Sequence, residues 1–246
     1  MPVVRLRSAV CLLGRFPALA GVDLDVVAGD VVLLSGANGA GKTTLLRLLA
    51  GLVPLYSGEA RVLDHDLARD RTGARRGLAL VGHETFCYDD LTVRENLAFT
   101  ARASGRSAAT ADVALERLGL TPQRDVVHRR LSAGQRRRLS LAVALAREPA
   151  LLLLDEPHAG LDAQGRATLD DIVREAAASG RSVVLASHEL EHARPLAHRE
   201  VVLAGGRTLP APAAAADTAE GRSAVDSQAA PVVAEPASAA EIGVAP

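Results

Sequence analysis

Residues 36–43 read Gly36-Ala37-Asn38-Gly39-Ala40-Gly41-Lys42-Thr43, and this stretch decides how the rest of the chain is interpreted. It matches G-x-x-x-x-G-K-[ST] at every position, with an apolar run before it and a leucine-rich run after it. Glycines let the backbone turn its N–H groups inward, and a helix that begins there directs its positive end to the same place. The stretch therefore predicts a phosphate-binding loop between a strand and a helix.

Two side chains of this loop have predicted roles. Lys42, the only lysine in the chain, is expected to reach the β- and γ-phosphates of a nucleotide, and the Thr43 hydroxyl is expected to ligate Mg²⁺. The nucleotide is expected to contact Gly36, Ala37, Asn38, Gly39, Ala40, Gly41, Lys42, Thr43 and Thr44.

Composition excludes several classes of protein. The net charge of −1 over 246 residues gives no reason to expect a nucleic-acid partner. The two cysteines, Cys11 and Cys87, match no metal-ligand spacing, which favours a reducing cytoplasm. No apolar run approaches the ~20 residues that span a bilayer, and the run before Arg15 is too short for a signal peptide.

The chain divides at about residue 209. Residues 210–246 are rich in Ala and Pro and nearly lack large apolar side chains, so a disordered tail is predicted after a domain at 1–209. Within the domain, buried strands and amphipathic helices are predicted to alternate, as in an α/β fold with a largely parallel sheet. The predicted strands are 31–34, 78–81, 151–154, 183–186 and, at an edge, 201–204. The predicted helices include 43–52, 109–118 and 135–147, and 95–148 is expected to form an inserted helical subdomain.

A second motif ends the predicted strand 151–154. Asp155 and Glu156 follow four leucines, at the end of a strand where ligands bind in open α/β sheets. Asp155 suits the Mg²⁺ shell, and Glu156 could polarise the attacking water as a general base. Alone, the pair could equally be a charged turn, but the phosphate-binding loop favours the functional interpretation.

Between these motifs stands Leu131-Ser132-Ala133-Gly134-Gln135, and with it residues 3–209 resemble the ABC ATPases, whose signature sequence is L-S-G-G-Q. The resemblance implies a P-loop NTPase core, ATP and Mg²⁺ as ligands, and ATP hydrolysis coupled to transport. It also implies that Phe16 stacks on adenine, that 159–162 is the D-loop, and that His188 contacts the γ-phosphate.

The residues of the signature stretch support the resemblance. Ser132 and Gln135 form an S-x-x-Q capping box, which predicts a helix start and hence an anion site. Gly134 inside a first turn costs about 0.5–1 kcal/mol relative to Ala, and close approach of a ligand would explain it. In the family, that ligand is ATP on the loop of a second subunit, so Ser132, Gly134 and Gln135 are expected to complete a head-to-tail dimer with a second copy or a homologous ATPase.

One position departs from the family. Where the family has a Gln that senses Mg²⁺, this chain has His83 followed by Glu84; either could join the metal shell, or both could be simple loop residues. Gly82-His83, with Leu-Ser-Ala-Gly-Gln, resembles the ATPase of the haem exporter in cytochrome c maturation. By the same resemblance, residues 83–96 are expected to dock an integral membrane subunit at the cytoplasmic face of the membrane.

Other classes stay open at this point. A non-transport ABC ATPase usually has two nucleotide domains or a coiled-coil insert, and this chain shows neither. A small-molecule P-loop kinase would lack the signature stretch and His188. A catalytically inactive regulatory subunit conflicts with Lys42, Asp155 and Glu156, although the change at His83 keeps it possible. An ABC exporter of a drug or a lipid is a further alternative.

Overall fold

The structure, a computed structural model, describes residues 2–82 and 85–209. The strands are β1 Val4–Leu13, β2 Phe16–Val26, β3 Val31–Ser35, β4 Ser57–Val62, β5 His65–Asp66, β6 Leu78–Val81, β7 Leu151–Asp155, β8 Ser182–Ala186, β9 Arg199–Ala204 and β10 Arg207–Thr208. The α helices are α1 Lys42–Leu49, α2 Val93–Ala103, α3 Ala108–Arg117, α4 Ala133–Leu145, α5 Ala163–Ala178 and α6 Leu190–Ala193.

The larger sheet has six strands in the order β10-β9-β3-β8-β7-β6. Its strands β9, β3, β8, β7 and β6 pair in parallel, and β10 joins β9 antiparallel. Every residue of β3, β7 and β8 is buried, because helices or another sheet cover both faces. The predicted α/β fold with a mixed, largely parallel sheet is confirmed.

Alternate residues of β3 face different layers. Val32 and Leu34 pack in one apolar cluster with the leucines of α1 and with strands β1, β2 and β4. Val31 and Leu33 pack in the other cluster, with helices α2 to α5. The phosphate-binding loop leaves the end of β3 between these two layers.

The second sheet is antiparallel, in the order β2-β1-β4-β5, and the sequence did not predict it. Strand β1 alternates buried and exposed residues, but the alternation is broken between Leu6 and Ala9, where Ser8 has a φ of 46°. This bulge hides the period of two that marks a half-buried strand.

Three α helices, α2, α3 and α4, lie between β6 and β7, where the sequence predicts a helical subdomain. Capping boxes begin two of them, Thr92 with Glu95 at α2 and Ser132 with Gln135 at α4. In this segment, the described residues contain one isolated bridge, between Thr92 and Val127, and no named strand.

Two sequence expectations need comment. The strand predicted at 201–204 is not an edge strand, because β9 lies between β3 and β10, and the hairpin at Gly205 and Gly206 adds that further strand. The tail predicted at 210–246 lies outside the described residues, as do His83 and Glu84. Across residues 2–82 and 85–209, no helix has the length and apolar character needed to cross a membrane.

Candidate active site

The loop between β3 and α1 depends on glycine at two places. Gly36 and Gly41 have φ values of 133° and 107°, in the region that favours glycine. A Cβ at Gly36 would lie 2.2 Å from the Leu203 carbonyl oxygen, and one at Gly41 would lie 2.8 Å from that of Ala18. Backbone curvature and close packing therefore both require the glycines of the predicted loop.

Helix α1 begins with free main-chain donors and a buried ammonium. In the part of the chain that the structure describes, no side chain caps its N-terminus at Gly41, and Lys42 is only 7% exposed. Its Nζ donates to the carbonyls of Gly36 at 2.7 Å and Ala37 at 3.2 Å. No carboxylate lies within 4 Å of Nζ among residues 2–82 and 85–209. A buried charge needs a partner, so these groups fit an anion such as a nucleotide phosphate.

The two predicted Mg²⁺ ligands line one cleft. Thr43, at the start of α1, and Asp155, at the end of β7, both face a cleft of about 430 Å³. Thr43 is exposed and Asp155 is buried. A hydroxyl and a carboxylate are oxygen ligands of the kind Mg²⁺ takes together with substrate phosphates. The donors present fit that ion.

Glu156 has an unusual backbone conformation. Its φ is 48°, in the left-handed region that costs a non-glycine residue about 1–3 kcal/mol. Its N–H donates to the Ala186 carbonyl at 2.8 Å. Its Oε2 accepts a hydrogen bond from the His188 main-chain N–H at 3.2 Å and lies 2.8 Å from His188 Nδ1. The structure thus pairs the predicted general base with His188, the residue expected to contact the γ-phosphate.

The electrostatics of His188 follow from this pair. The hydrogen bond to Glu156 raises the pKa of His188 above its ordinary value, and the Glu156 charge adds to the effect. The charge of Lys42 opposes this rise in the pKa. The three residues follow β3, β7 and β8, which are neighbouring parallel strands of one sheet. Lys42, Glu156 and His188 therefore belong to one site at the carboxyl ends of β3, β7 and β8.

Arg137 on α4 contacts the same turn, and sequence analysis did not single it out. Its guanidinium donates to the Asp155 carbonyl at 3.0 Å, to the Glu156 carbonyl at 2.7 Å, and to the Gly82 carbonyl. Burial lowers the pKa of Arg137, and the charges of Asp155 and Glu156 oppose that shift. Nothing in the run Arg136 to Arg138 distinguishes the middle arginine from its neighbours.

The signature stretch forms an exposed helix start. Ser132 Oγ accepts from the Gln135 N–H at 3.3 Å, and Gln135 Oε1 accepts from the Ser132 N–H at 2.9 Å. Gly134 lies in the first turn of α4, and a Cβ there would lie 3.5 Å from the Gly160 carbonyl, an ordinary contact. The folded chain itself therefore does not need glycine at 134.

The remaining predicted residues lie at the periphery. Phe16 begins β2, pairs with Leu13 in the β1–β2 hairpin, and is 80% exposed. Asp162 caps α5 by accepting from the Gly165 N–H at 2.8 Å. His83 and Glu84 lie outside the described residues, so their predicted metal roles stay predictions.

The chain is similar in sequence to known proteins. The family model described as "ABC transporter" matches residues 19–159. Daunorubicin resistance ATP-binding protein DrrA3 of Streptomyces coeruleorubidus is 40% identical over 80% of this chain and 63% of its own length. Cytochrome c biogenesis ATP-binding export protein CcmA of Bordetella bronchiseptica is 41% identical over 74% of this chain and 83% of its own length. Mouse ATP-binding cassette sub-family A member 7 is 38% identical over 77% of this chain, which spans 9% of that protein.

Solved structures share the fold. The ATP-binding subunit of an ABC transporter superposes with a TM-score of 0.79 at 27% identity, covering 84% of this chain and 88% of that one. A dimeric ATP-binding cassette in a post-hydrolysis state, bound to ADP and phosphate, superposes with a TM-score of 0.77 at 24% identity, covering 83% and 96%. The first structure, at 27% identity, is similar to this chain in sequence as well as in fold. The second, at 24% identity, shows only that the fold is shared.

Proposed function

This chain belongs to the ABC transporter family, and we propose on that premise that it is the ATP-binding and ATP-hydrolysing subunit that powers a membrane transporter. One observation carries the proposal most directly. Glu156 and His188 form a hydrogen-bonded pair at the end of β7, on the edge of the sheet from which the phosphate-binding loop leaves. That arrangement suits hydrolysis of the terminal phosphate of a nucleotide held by Lys42.

The proposed chemistry uses the groups of this site. The amides of 39–44 and the Lys42 ammonium bind the phosphates, and Thr43 with Asp155 holds Mg²⁺, which supplies charge neutralisation when bound. His188 engages Oε2 of Glu156, whereas Oε1 makes no hydrogen bond to a described residue. That oxygen is free to accept the proton of the attacking water as general base.

We propose that two copies, or one copy and a homologous ATPase, enclose ATP head to tail. Ser132 and Ala133 at the start of α4 are exposed, and a helix N-terminus binds anions. The dimeric cassette noted above has the same fold. Each ATP is bound by both subunits, and this stabilises the closed dimer. The dimer opens when the γ-phosphate is lost, because both subunits bind the same nucleotide only while it is ATP.

A membrane subunit is the second proposed partner. All five aromatic side chains of the protein are at least 44% exposed, although the interior is built from Leu, Val and Ala. Two of them, Tyr88 and Phe99, form a patch with ring centroids 5.2 Å apart, and Phe86, two residues before Tyr88, lines the cleft that holds Thr43. Exposed aromatic patches favour protein partners. We expect this patch, near 83–96, to dock the membrane subunit at the cytoplasmic face.

We further propose that the transporter is an exporter, and two kinds of exported substrate have support. Leu131-Ser132-Ala133-Gly134-Gln135 and the similarity to CcmA favour haem for cytochrome c maturation. The similarity to DrrA3, of nearly equal identity, favours a drug instead. Stimulation of the ATPase in the reconstituted transporter by haem but not by daunorubicin would support the first, and the reverse would support the second.

Phosphate release from Mg·ATP tests the proposed function. We expect turnover by the wild-type chain, loss of turnover with retained ATP binding in Glu156→Gln, and loss of ATP binding in Lys42→Ala. Glu59→Gln makes the same chemical change at an exposed position on β4 and should hydrolyse at the wild-type rate. Near-normal steady-state hydrolysis by Glu156→Gln would remove Glu156 as the base.

A further inference from the structure

Arg137 joins three segments that the proposed mechanism treats separately. It lies on α4, five residues after the Ser132 cap. Its guanidinium donates to carbonyls at the end of β6, at Gly82, and at the end of β7, at Asp155 and Glu156. One side chain therefore connects the signature helix of this chain to the catalytic turn of the same chain.

This contact places a desolvated charge where no carboxylate of residues 2–82 or 85–209 forms a salt bridge with it. Every hydrogen-bond acceptor that the structure gives Arg137 is a main-chain carbonyl, and its Nε is buried with no partner among the described residues. Withdrawing a guanidinium from water is unfavourable unless its donors are used. The bonds to the carbonyls offset that penalty and fix the path of the peptide chain at Asp155 and Glu156.

The fixed peptide includes the strained residue. Glu156 keeps its left-handed conformation with its N–H bonded to Ala186 and its carbonyl bonded to Arg137. A residue in this region relaxes when such restraints are removed. Relaxation would turn the Glu156 side chain away from His188, because the orientation of the side chain follows the backbone dihedral angles.

We propose that Arg137 is a positioning residue for ATP hydrolysis, which holds Glu156 in its active orientation and couples it to the N-terminus of α4. The inference rests on the proposed function, because Ser132 at that N-terminus would contact the nucleotide of the partner subunit. Through Arg137, contact of Ser132 with the nucleotide of the partner subunit affects the position of Glu156, the general base of this chain's own site. The coupling element is the N-terminal part of α4, with Ser132 as its cap and Arg137 five residues later.

Steady-state kinetics of Arg137→Gln test the proposal. We expect kcat to fall by roughly tenfold to a hundredfold with KM for ATP within about threefold, because the base is misplaced and the phosphate-binding loop is not. Arg137→Lys should recover part of kcat, since an ammonium still donates to the carbonyls. Arg147→Gln is the matched control: Arg147 is also half-buried and donates to a main-chain carbonyl, that of Arg75 at 2.7 Å. It should keep the wild-type kcat.

A second readout separates positioning from general stability. In Arg137→Gln the NMR-titrated pKa of His188 should fall toward 6.5, because its contact with Glu156 is lost, whereas Arg147→Gln should leave it unchanged. The double variant Glu156→Gln/Arg137→Gln should still dimerise with ATP. A wild-type kcat in Arg137→Gln, or equal losses in Arg137→Gln and Arg147→Gln, would overturn the positioning role. Failure of the wild-type chain to bind Mg·ATP would instead overturn the proposed function itself.

Discussion

Glu156 Oε2 lies 2.8 Å from Nδ1 of His188 and also accepts a hydrogen bond from the His188 main-chain N–H. The carboxylate thus contacts both the ring and the backbone of one residue, across the ends of β7 and β8. Since Glu156 occupies a strained conformation, this double contact helps to fix a side chain that would otherwise have several orientations. The pair gives the site a measurable electrostatic signature.

The first prediction concerns the pKa of His188. The hydrogen bond to Glu156 raises this pKa above 6.5 in the folded chain, so the contact stabilises the fold below about pH 6.5, and that contribution is lost as pH rises through the folded pKa. In Glu156→Gln the pKa should return toward 6.5, because the charge is gone. NMR titration of the seven histidines measures this. Equal His188 pKa values in the two proteins would contradict the pairing.

The second prediction concerns Phe16. This ring is 80% exposed, so Phe16→Ala should leave the free energy of unfolding nearly unchanged. Loss of a stack on adenine should weaken ATP binding by about 1–3 kcal/mol, or roughly 5-fold to 150-fold. Leu13→Ala, at the paired position of the same hairpin, is the control and should keep wild-type affinity. Calorimetric ATP titrations with equal affinity for both variants would exclude adenine stacking by Phe16.

The third prediction concerns Gly134. Among the described residues, a Cβ at this position would meet only the Gly160 carbonyl at 3.5 Å, and Ala favours a helix over Gly by about 0.5–1 kcal/mol. Gly134→Ala should therefore raise or preserve the stability of the nucleotide-free chain. The same substitution in a Glu156→Gln background should weaken ATP-driven dimerisation, because the added methyl group crowds the partner's nucleotide.

Gly36→Ala is the contrasting control for Gly134→Ala. Its Cβ would lie 2.2 Å from the Leu203 carbonyl oxygen, so it should destabilise the monomer. Thermal unfolding and sedimentation of both variants provide the comparison. Normal dimerisation of the Gly134→Ala protein would show that no ligand approaches this turn.

The fourth prediction concerns the aromatic patch of Tyr88 and Phe99. Tyr88→Ser should leave the ATPase rate of the isolated chain unchanged and should abolish co-purification with the membrane subunit of the transporter. Tyr56→Ser, which replaces a 70% exposed ring before β4, should keep the partner. Retention of the membrane subunit by Tyr88→Ser would place the docking surface elsewhere.

Local sequence predicted the elements that carry local signals. The loop at 36–43 and the strand before Asp155 have short, continuous patterns, so their structure follows from neighbouring residues. The sheet of β1, β2, β4 and β5 was missed, because the bulge at Ser8 interrupts the alternation of β1. Its register depends on pairings between distant residues, such as Val4 with Val62.

The candidate site likewise has residues that a local sequence pattern predicts and one that depends on the tertiary structure. Lys42 and Thr43 belong to a spacing that can be recognised from sequence, and the structure places Thr43 and Asp155 on one cleft. The role of Arg137 could not be predicted, because Arg136, Arg137 and Arg138 are chemically identical. Only the direction of α4 relative to β7 selects the middle arginine to contact Asp155 and Glu156.

The central claim is that the Lys42 loop of one subunit and Ser132 of another enclose the same ATP. The mass of Glu156→Gln in solution, measured by light scattering with Mg·ATP and then with Mg·ADP, tests it most directly. The account predicts a dimer with ATP and a monomer with ADP, and a monomer with ATP in a Glu156→Gln/Lys42→Ala variant. A Glu156→Gln chain that binds Mg·ATP and remains monomeric would contradict it.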